Sequence, residues 1–430
     1  MATLKAVRGT RDLLPPETAL WNYVEATARA VFARYGFGEI RTPIFEDTAL
    51  FARGVGEETD IVSKEMYTWE DRTRADSDSA QSLTLRPENT AGVVRAYIEH
   101  KLADTGMLQK LFYIGPQFRR ERPQRGRYRQ FWQIGAEVLG PAWSGADSSL
   151  RDAEVLEMLS TFLNEVGVKG WKLEVNSVGS STDRPRYIAA LREALAPVKS
   201  RMSADNQRRA ETNPLRVLDS KEPGDQEIID GLPKIADFLD DASKEHFAQV
   251  LAALDACGVA YTVNPRLVRG LDYYTRTTFE FTVPDGSGLG TQNALLGGGR
   301  YDGLSEMLSG PKAPGIGFAI GEDRLILTLQ AQAAAAVEKK LDAFVAPMGM
   351  GQNAAALALA QELRRAGLAV EVGDGSFRLK KSFEAADKLA RRMVIVGEDE
   401  VSSGILTVKD FSAGEQTKVA RTELVGFLRA

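Results

Sequence analysis

Hydrophobic residues recur at helical spacing over residues 17–35. Leu20, Tyr23, Val24, Ala28, Val31 and Phe32 form one stripe and Gly36 stops it, which predicts an amphipathic helix. Residues 111–119 and 129–139 are instead rich in β-formers and flank a Pro- and Gly-containing loop, the pattern of a hairpin. On its second strand, alternation puts Arg129, Phe131, Gln133, Gly135 and Glu137 on one face, and Gln130, Trp132, Ile134, Ala136 and Val138 on the other. The second set is core-like. The first combines a cation, an aromatic plate, an amide, a gap and a carboxylate, which lines a polar pocket better than it fills a core. A solvated outer face is the competing account of that strand taken alone.

The same period separates Gly315, Gly317, Ala319 and Gly321 from Ile316, Phe318 and Ile320, so one side of this strand is almost bare. A flat ligand fits there; tight packing of strand on helix explains the same glycines. Arg324 follows in a helical run, and with Phe131 it could sandwich a purine by stacking and cation–π contact. Elsewhere the pattern predicts a helix over 91–101 capped by Thr90, a helix over 150–166 and a strand over 171–178. From about 182 to 259 the chain turns charged and helical without a strand pattern, as an inserted helical domain would. An Ala-rich, Lys-ended stretch over 331–340 reads as a connector. Beyond it, strands over 343–347, 368–372 and 393–396 alternate with helices over 354–366 and 380–390, a small α/β unit.

Charge sharpens this picture. Residues 118–131 carry six arginines and one glutamate in a chain of net charge −5, so the positive charge is local and an anion binds there. The acidic balance argues against indiscriminate nucleic-acid coating but leaves selective RNA contact open. With 430 residues, 43% of them hydrophobic, the chain is long enough for two or three globular domains. The single Cys257 excludes an intramolecular disulfide and reads as a small core residue on the apolar side of a helix. No apolar leader opens the chain and no run approaches ~20 apolar residues, so a cytoplasmic location is expected. Only His100 and His246 are present, neither in a motif, so no Cys–His or Ser–His–Asp arrangement can be built.

The arginine hairpin resembles motif 2 of the class II aminoacyl-tRNA synthetases, and the bare strand with Arg324 resembles their motif 3. Residues 41–46, Arg-Thr-Pro-Ile-Phe-Glu with Pro43, are similar to motif 1. The blocks 84–90 (TLRPENT), 267–277 (LVRGLDYYTRT) and 298–303 (GGRYDG) resemble the histidyl-tRNA synthetase family within that class. Nearly the whole chain is covered. The implied fold is an α+β catalytic domain with an antiparallel sheet over 1–330, the helical insertion at about 182–259, and a C-terminal α/β anticodon-binding domain over 341–430.

The implied activity is histidine–tRNA ligation: L-histidine is activated by ATP, with Mg2+ accompanying the pyrophosphate, and passed to tRNA(His) by a cytoplasmic homodimer. By resemblance, Arg119 binds the α-phosphate and Arg269 bridges it to the substrate carboxylate, where other class members rely on a further metal. Arg324 holds the γ-phosphate, Phe131 stacks on adenine and Glu121 belongs to the ATP site. No dedicated protein metal site is implied. Glu88 and Tyr274 match the imidazole partners, with Tyr301 and Asn89 nearby, while Thr90, Gln133 and Glu137 match the α-amino partners and Tyr273 closes the pocket. Gln124, Arg125 and Arg127 match the tRNA acceptor contact, and the cations of 376–382 fall in the RNA-binding domain. Asn89, Trp132 and Arg120 depart from the commoner family residues. A regulatory paralogue, like the synthetase-like subunit of ATP phosphoribosyltransferase, is the other reading, although such chains lack the C-terminal domain and lose the phosphate-binding arginines.

Overall fold

The computed structural model describes residues 3–56, 59, 61–71, 81–268, 273–284, 286–289, 293–332 and 340–429. The chain divides into two compact units, Met1–Ala336 and Val337–Ala430. Arg269 and the next three residues lie outside the described residues.

In the first unit the strands are β1 (Gly38–Glu39), β2 (Phe45–Asp47), β3 (Tyr67–Asp71), β4 (Gln81–Leu85), β5 (Gln109–Phe118) and β6 (Gln130–Leu139). They continue with β7 (Lys172–Ser177), β8 (Tyr261–Val263), β9 (Thr275–Thr282), β10 (Ala294–Arg300) and β11 (Gly315–Gly321). One sheet runs β1-β5-β6-β11-β10-β9-β7-β8, and a smaller one runs β2-β4-β3. From β5 through β7 every pairing of the large sheet is antiparallel; β1 and β8 join its edges in parallel.

The two faces of this sheet differ because the strands alternate. Ile134, Ala136, Val138, Ile316, Phe318, Ile320, Phe279 and Phe281 point to a core. That core is completed by the helices Glu17–Arg34, Ser149–Val166, Asp241–Ala256 and Glu322–Ala331, each of which contributes buried apolar residues to it. Phe32 sits 5.5–5.9 Å from the rings of Phe112, Phe162 and Phe318, which fixes the first helix against the sheet.

Helices fill the chain from Asp183–Leu195 to Asp241–Ala256, around a cluster of their own that includes Tyr187, Leu191, Val217 and Ile229. The last of them departs from a pure insertion: Val250 and Leu254 belong to the main core. Cys257 is exposed at its C-terminal cap, contrary to the core position its spacing predicts, because the apolar stripe ends at Leu254. The helix expected over 91–101 is Thr90–Glu99, and Thr90 is its first residue, not its cap.

The second unit has β12 (Leu341–Pro347), β13 (Val370–Val372), β14 (Ala390–Val396), β15 (Ile405–Asp410) and β16 (Gln416–Ala420) in the order β13-β12-β14-β15-β16. Its first three strands are parallel and the last two antiparallel. The β15–β16 pair escapes the sequence pattern because only Leu406, Val408 and Val419 of its residues are buried. No helix among the described residues is long and apolar enough to cross a membrane.

Candidate active site

Opposite the core, the large sheet presents a face stripped of side chains at its centre. Register places Gly299 beside Gly317 and Gly297 beside Ala319, and β6 adds Gly135 beside Ala319. These gaps are occupied by neighbours reaching across them. A Cβ on Gly135 would fall on the Tyr113 ring, one on Gly317 on the Glu137 carboxylate, and one on Gly299 about 2.8 Å from Tyr274. The bare strand is therefore a floor over which polar side chains lie.

One end of this floor is a carboxylate–tyrosine pocket. Glu137 on β6 is fully buried and its Oε2 accepts a 2.6 Å hydrogen bond from the Tyr301 hydroxyl. Glu88 precedes the helix Thr90–Glu99, and its carboxylate accepts from the backbone N–H of Thr90 (2.8 Å) and Ala91 (3.0 Å). This is the cap that local preference assigns to Thr90; the Thr90 hydroxyl instead lies against Glu88, Glu137, Tyr113 and Tyr273. The rings of Tyr273 and Tyr274 stand 4.8 Å apart, and Tyr273 meets Tyr301 edge-on at 5.9 Å.

Burial controls the charge here. Desolvation raises the Glu88 carboxyl despite its two backbone donors, and pushes Glu137 up to about 8, the Tyr301 and Thr90 hydroxyls opposing it. The hydroxyls of Tyr113, Tyr273 and Tyr301 are pushed well up by the same burial. Glu137 Oε1, Gln133 Oε1, the Tyr113 hydroxyl and both side-chain ends of Gln117 have no hydrogen-bond partner among the described residues. Buried polar atoms left open along neighbouring strands are what a polar ligand satisfies. Tyr113 and Gln117 were missed by the sequence reading. Their signal was present, since Tyr113, Gly115 and Gln117 alternate on β5 as Gly135, Gln133 and Phe131 do opposite them.

Asn89 sits differently from its neighbours. Its Oδ1 accepts from the Thr42 hydroxyl (2.5 Å) and from Arg86 (3.4 Å). Buried Arg86 also donates to the carbonyls of Thr42 and Pro116, so Asn89 joins a knot tying residues 42–43 to the site segment.

The other end is a cavity of about 200 Å³ lined by Arg119, Glu121, Arg127, Phe131, Glu280 and Arg324, among others. Arg119 donates to the Pro87 carbonyl at 2.9 Å and lies 5.2 Å over the Phe131 ring. Arg127 pairs with Glu121 at 3.3 Å. The Arg324 guanidinium is lowered by burial and then by Arg127, with Glu280 and Glu121 opposing. Two cations facing each other in a half-closed cavity favour an anion between them. Arg11, absent from the sequence reading, donates to Asp323 (3.0 Å) and Glu17 (2.8 Å) and stacks 4.8 Å over Tyr128. Asp323 also accepts from the Trp132 N–H at 3.1 Å, which locks β6 to the helix carrying Arg324.

The six arginines do not act together. Arg129 donates from its guanidinium to the Arg8 carbonyl and from its backbone N–H to the Gly9 carbonyl, so the N-terminal segment engages it at the strand's edge. Arg120 lies over Tyr67 at 5.8 Å. Gln124 and Arg125 are exposed at the hairpin tip, where Gln124 and Arg127 exchange backbone hydrogen bonds and Gly126 takes φ 75° to close the turn.

A glycine-bared antiparallel sheet with an arginine cavity at one end and a carboxylate–tyrosine pocket at the other is the arrangement of the class II aminoacyl-tRNA synthetases. A family profile described as histidyl-tRNA synthetase matches residues 9–325, and one described as anticodon binding domain matches residues 342–430. The histidine–tRNA ligase of Koribacter versatilis (strain Ellin345) is 68% identical over 427 residues, covering 99% of this chain and 96% of that protein. The histidine–tRNA ligase of Solibacter usitatus (strain Ellin6076) is 52% identical over 99% of both chains. A crystal structure of apo S. aureus histidyl-tRNA synthetase superposes with a TM-score of 0.80 at 37% identity, covering 100% of each chain. The chain belongs to the histidyl-tRNA synthetase family.

Proposed function

We propose that this chain activates L-histidine with ATP and transfers it to the 3′ end of tRNA(His), releasing diphosphate and then AMP. The observation that supports this is the bare strand, flanked by buried carboxylate and amide oxygens left without partners among the described residues and by a cavity lined with Arg119, Arg127 and Arg324.

In the first step a histidine carboxylate oxygen attacks the α-phosphorus of ATP, and the bond to the pyrophosphate oxygen breaks. No protein nucleophile is required; the protein orients two anions and stabilises the charge spread over the phosphoryl oxygens. Arg119 takes the α-phosphate, Arg269 bridges it to the carboxylate, Arg324 takes the γ-phosphate and Phe131 stacks on adenine. Glu121 and Glu280 line the nucleotide cavity with hard oxygen donors, which fit a Mg2+ ion entering on the triphosphate. In the second step the tRNA 3′-terminal hydroxyl attacks the acyl carbon and AMP leaves. Gln124, Arg125 and Arg127 at the hairpin tip are assigned to the acceptor end.

Histidine is selected by polar pairing. Glu137, Gln133 and Thr90 take the α-ammonium group, Glu88 and Tyr274 take the imidazole with Tyr301 supporting them, and Tyr273 closes the pocket. A site built from paired polar groups rejects an amino acid that leaves them unpaired. Asn89 acts here through the Arg86 knot. The retained C-terminal domain, together with Arg119 and Arg324, favours a ligase over a regulatory paralogue.

The exposed Ile44 and Phe45 of the motif 1 segment, together with exposed Trp69, support a homodimer, with Phe45 and Trp69 forming an edge-on pair at 6.0 Å. A monomer in sedimentation would refute it. A translation enzyme of this kind works in the cytoplasm. ATP–pyrophosphate exchange run against all twenty amino acids tests the whole reading: histidine alone should support exchange, and a different amino acid doing so would overturn it.

A further inference from the structure

His246 lies in the last helix of the inserted segment, outside both pockets, yet it is only 7% exposed and partnered on both ring nitrogens. Nε2 meets the buried Asp152 carboxylate at 2.8 Å, and Nδ1 meets the Arg276 guanidinium at 3.4 Å. An ionised Asp152 only accepts and Arg276 only donates. These roles match a ring that donates from Nε2 to Asp152 and turns the lone pair of Nδ1 toward Arg276. Asp152 also takes the fully buried Arg300, whose neighbour Tyr301 holds Glu137.

Arg276 is the unusual member. It stands at φ 48°, in the left-handed region that a side-chain-bearing residue rarely adopts, where the β9–β10 register slips between Gly299 and Arg300. Immediately before it come Thr275, which accepts from the Asp302 N–H, and Tyr274, which overlies Gly299. Its backbone is pinned by Gly179 and Val178, and its side chain by His246. A second hand from the same segment reaches this turn, for Arg184 in the helix Asp183–Leu195 donates to the Tyr274 carbonyl at 3.5 Å.

We infer that His246 is a positioning residue for the histidine pocket: its hold on Arg276 keeps the left-handed turn that lays Tyr273 and Tyr274 over the substrate. The inserted helical segment is thus part of the amino-acid site although none of its residues lines it. This rests on the assignment of that pocket to histidine.

Two substitutions separate the ring's two contacts. His246→Asn puts an amide oxygen near the Nδ1 position and keeps the Arg276 acceptor. His246→Gln reaches the Nε2 position and keeps the donor to Asp152. Histidine-dependent pyrophosphate exchange on folded full-length protein should show KM for histidine raised roughly fivefold in His246→Gln, the effect of one lost hydrogen bond. In that variant KM for ATP should hold, and His246→Asn should stay near wild type. Equal effects, the reverse order, or a matched rise in both KM values would overturn the inference. Absence of histidine-dependent exchange in the wild type would instead overturn the pocket's assignment.

Discussion

With Glu137 assigned to the α-ammonium group as proposed, histidine binding should release a proton. Burial holds its carboxyl at about 8, so at pH 7, one unit lower, roughly ten of every eleven free molecules carry a proton there. The α-ammonium group of the substrate requires the anion, so binding at pH 7 expels about 0.9 proton. Below pH 8 the apparent dissociation constant should then rise about tenfold per unit of falling pH, since the proton and the ammonium group compete for one oxygen pair. Above pH 8 it should level off. Replacing the carboxylate by Glu137→Gln removes both the competition and the attraction. Leaving a buried ammonium group unpaired costs about 3–5 kcal/mol, a loss of affinity of two to four decades. Isothermal titration calorimetry in buffers of different ionisation enthalpy reads the proton count from its slope. A slope of zero in the wild type at pH 7, or full affinity in Glu137→Gln, would refute the reasoning.

Other outcomes follow from the same geometry. Gly317→Ala sets a methyl group against the Glu137 carboxylate and 2.8 Å from the Ala136 carbonyl, so stability should fall by about 1–3 kcal/mol in thermal melts. KM for histidine should rise in that variant, and unchanged values for both would show that the floor is not closely packed. Arg269→Ala should abolish histidine-dependent exchange while circular dichroism is unchanged; full activity would remove Arg269 from the mechanism. Deleting the residues after 340 should weaken tRNA charging more than adenylate formation, and equal losses in the two assays would contradict an RNA-binding role for that unit.

Period-two alternation carried much of the site. It separated Phe131, Gln133 and Glu137 from Ile134, Ala136 and Val138, and it marked residues 315–321 as bare, because a strand's faces are written directly into odd and even positions. What it missed are contacts whose partners lie far apart. Arg11 meets Asp323 across 312 residues, and no local pattern encodes such a meeting. Thr90 has the residue type of a cap, yet the carboxylate of the neighbouring buried Glu88 accepts the Thr90 and Ala91 N–H groups and takes that place. Arg129 has the spacing of a pocket residue, but the N-terminal segment captures it at the strand's end.

The amino-acid sequence alone determined the elements that local spacing encodes: the first helix, the arginine hairpin, the glycine-bared strand, the charged helical insertion and the change of style after residue 341. It also determined, through its ordered motifs, the family. Tertiary structure decided which groups share a cavity and in what state of charge. Strand order brings β11 beside β6 with β10 next beyond it, and burial is what raises the Glu137 carboxyl above an ordinary carboxylate, against the Tyr301 and Thr90 hydroxyls. Desolvation depends on everything surrounding a group, so no stretch of sequence contains it.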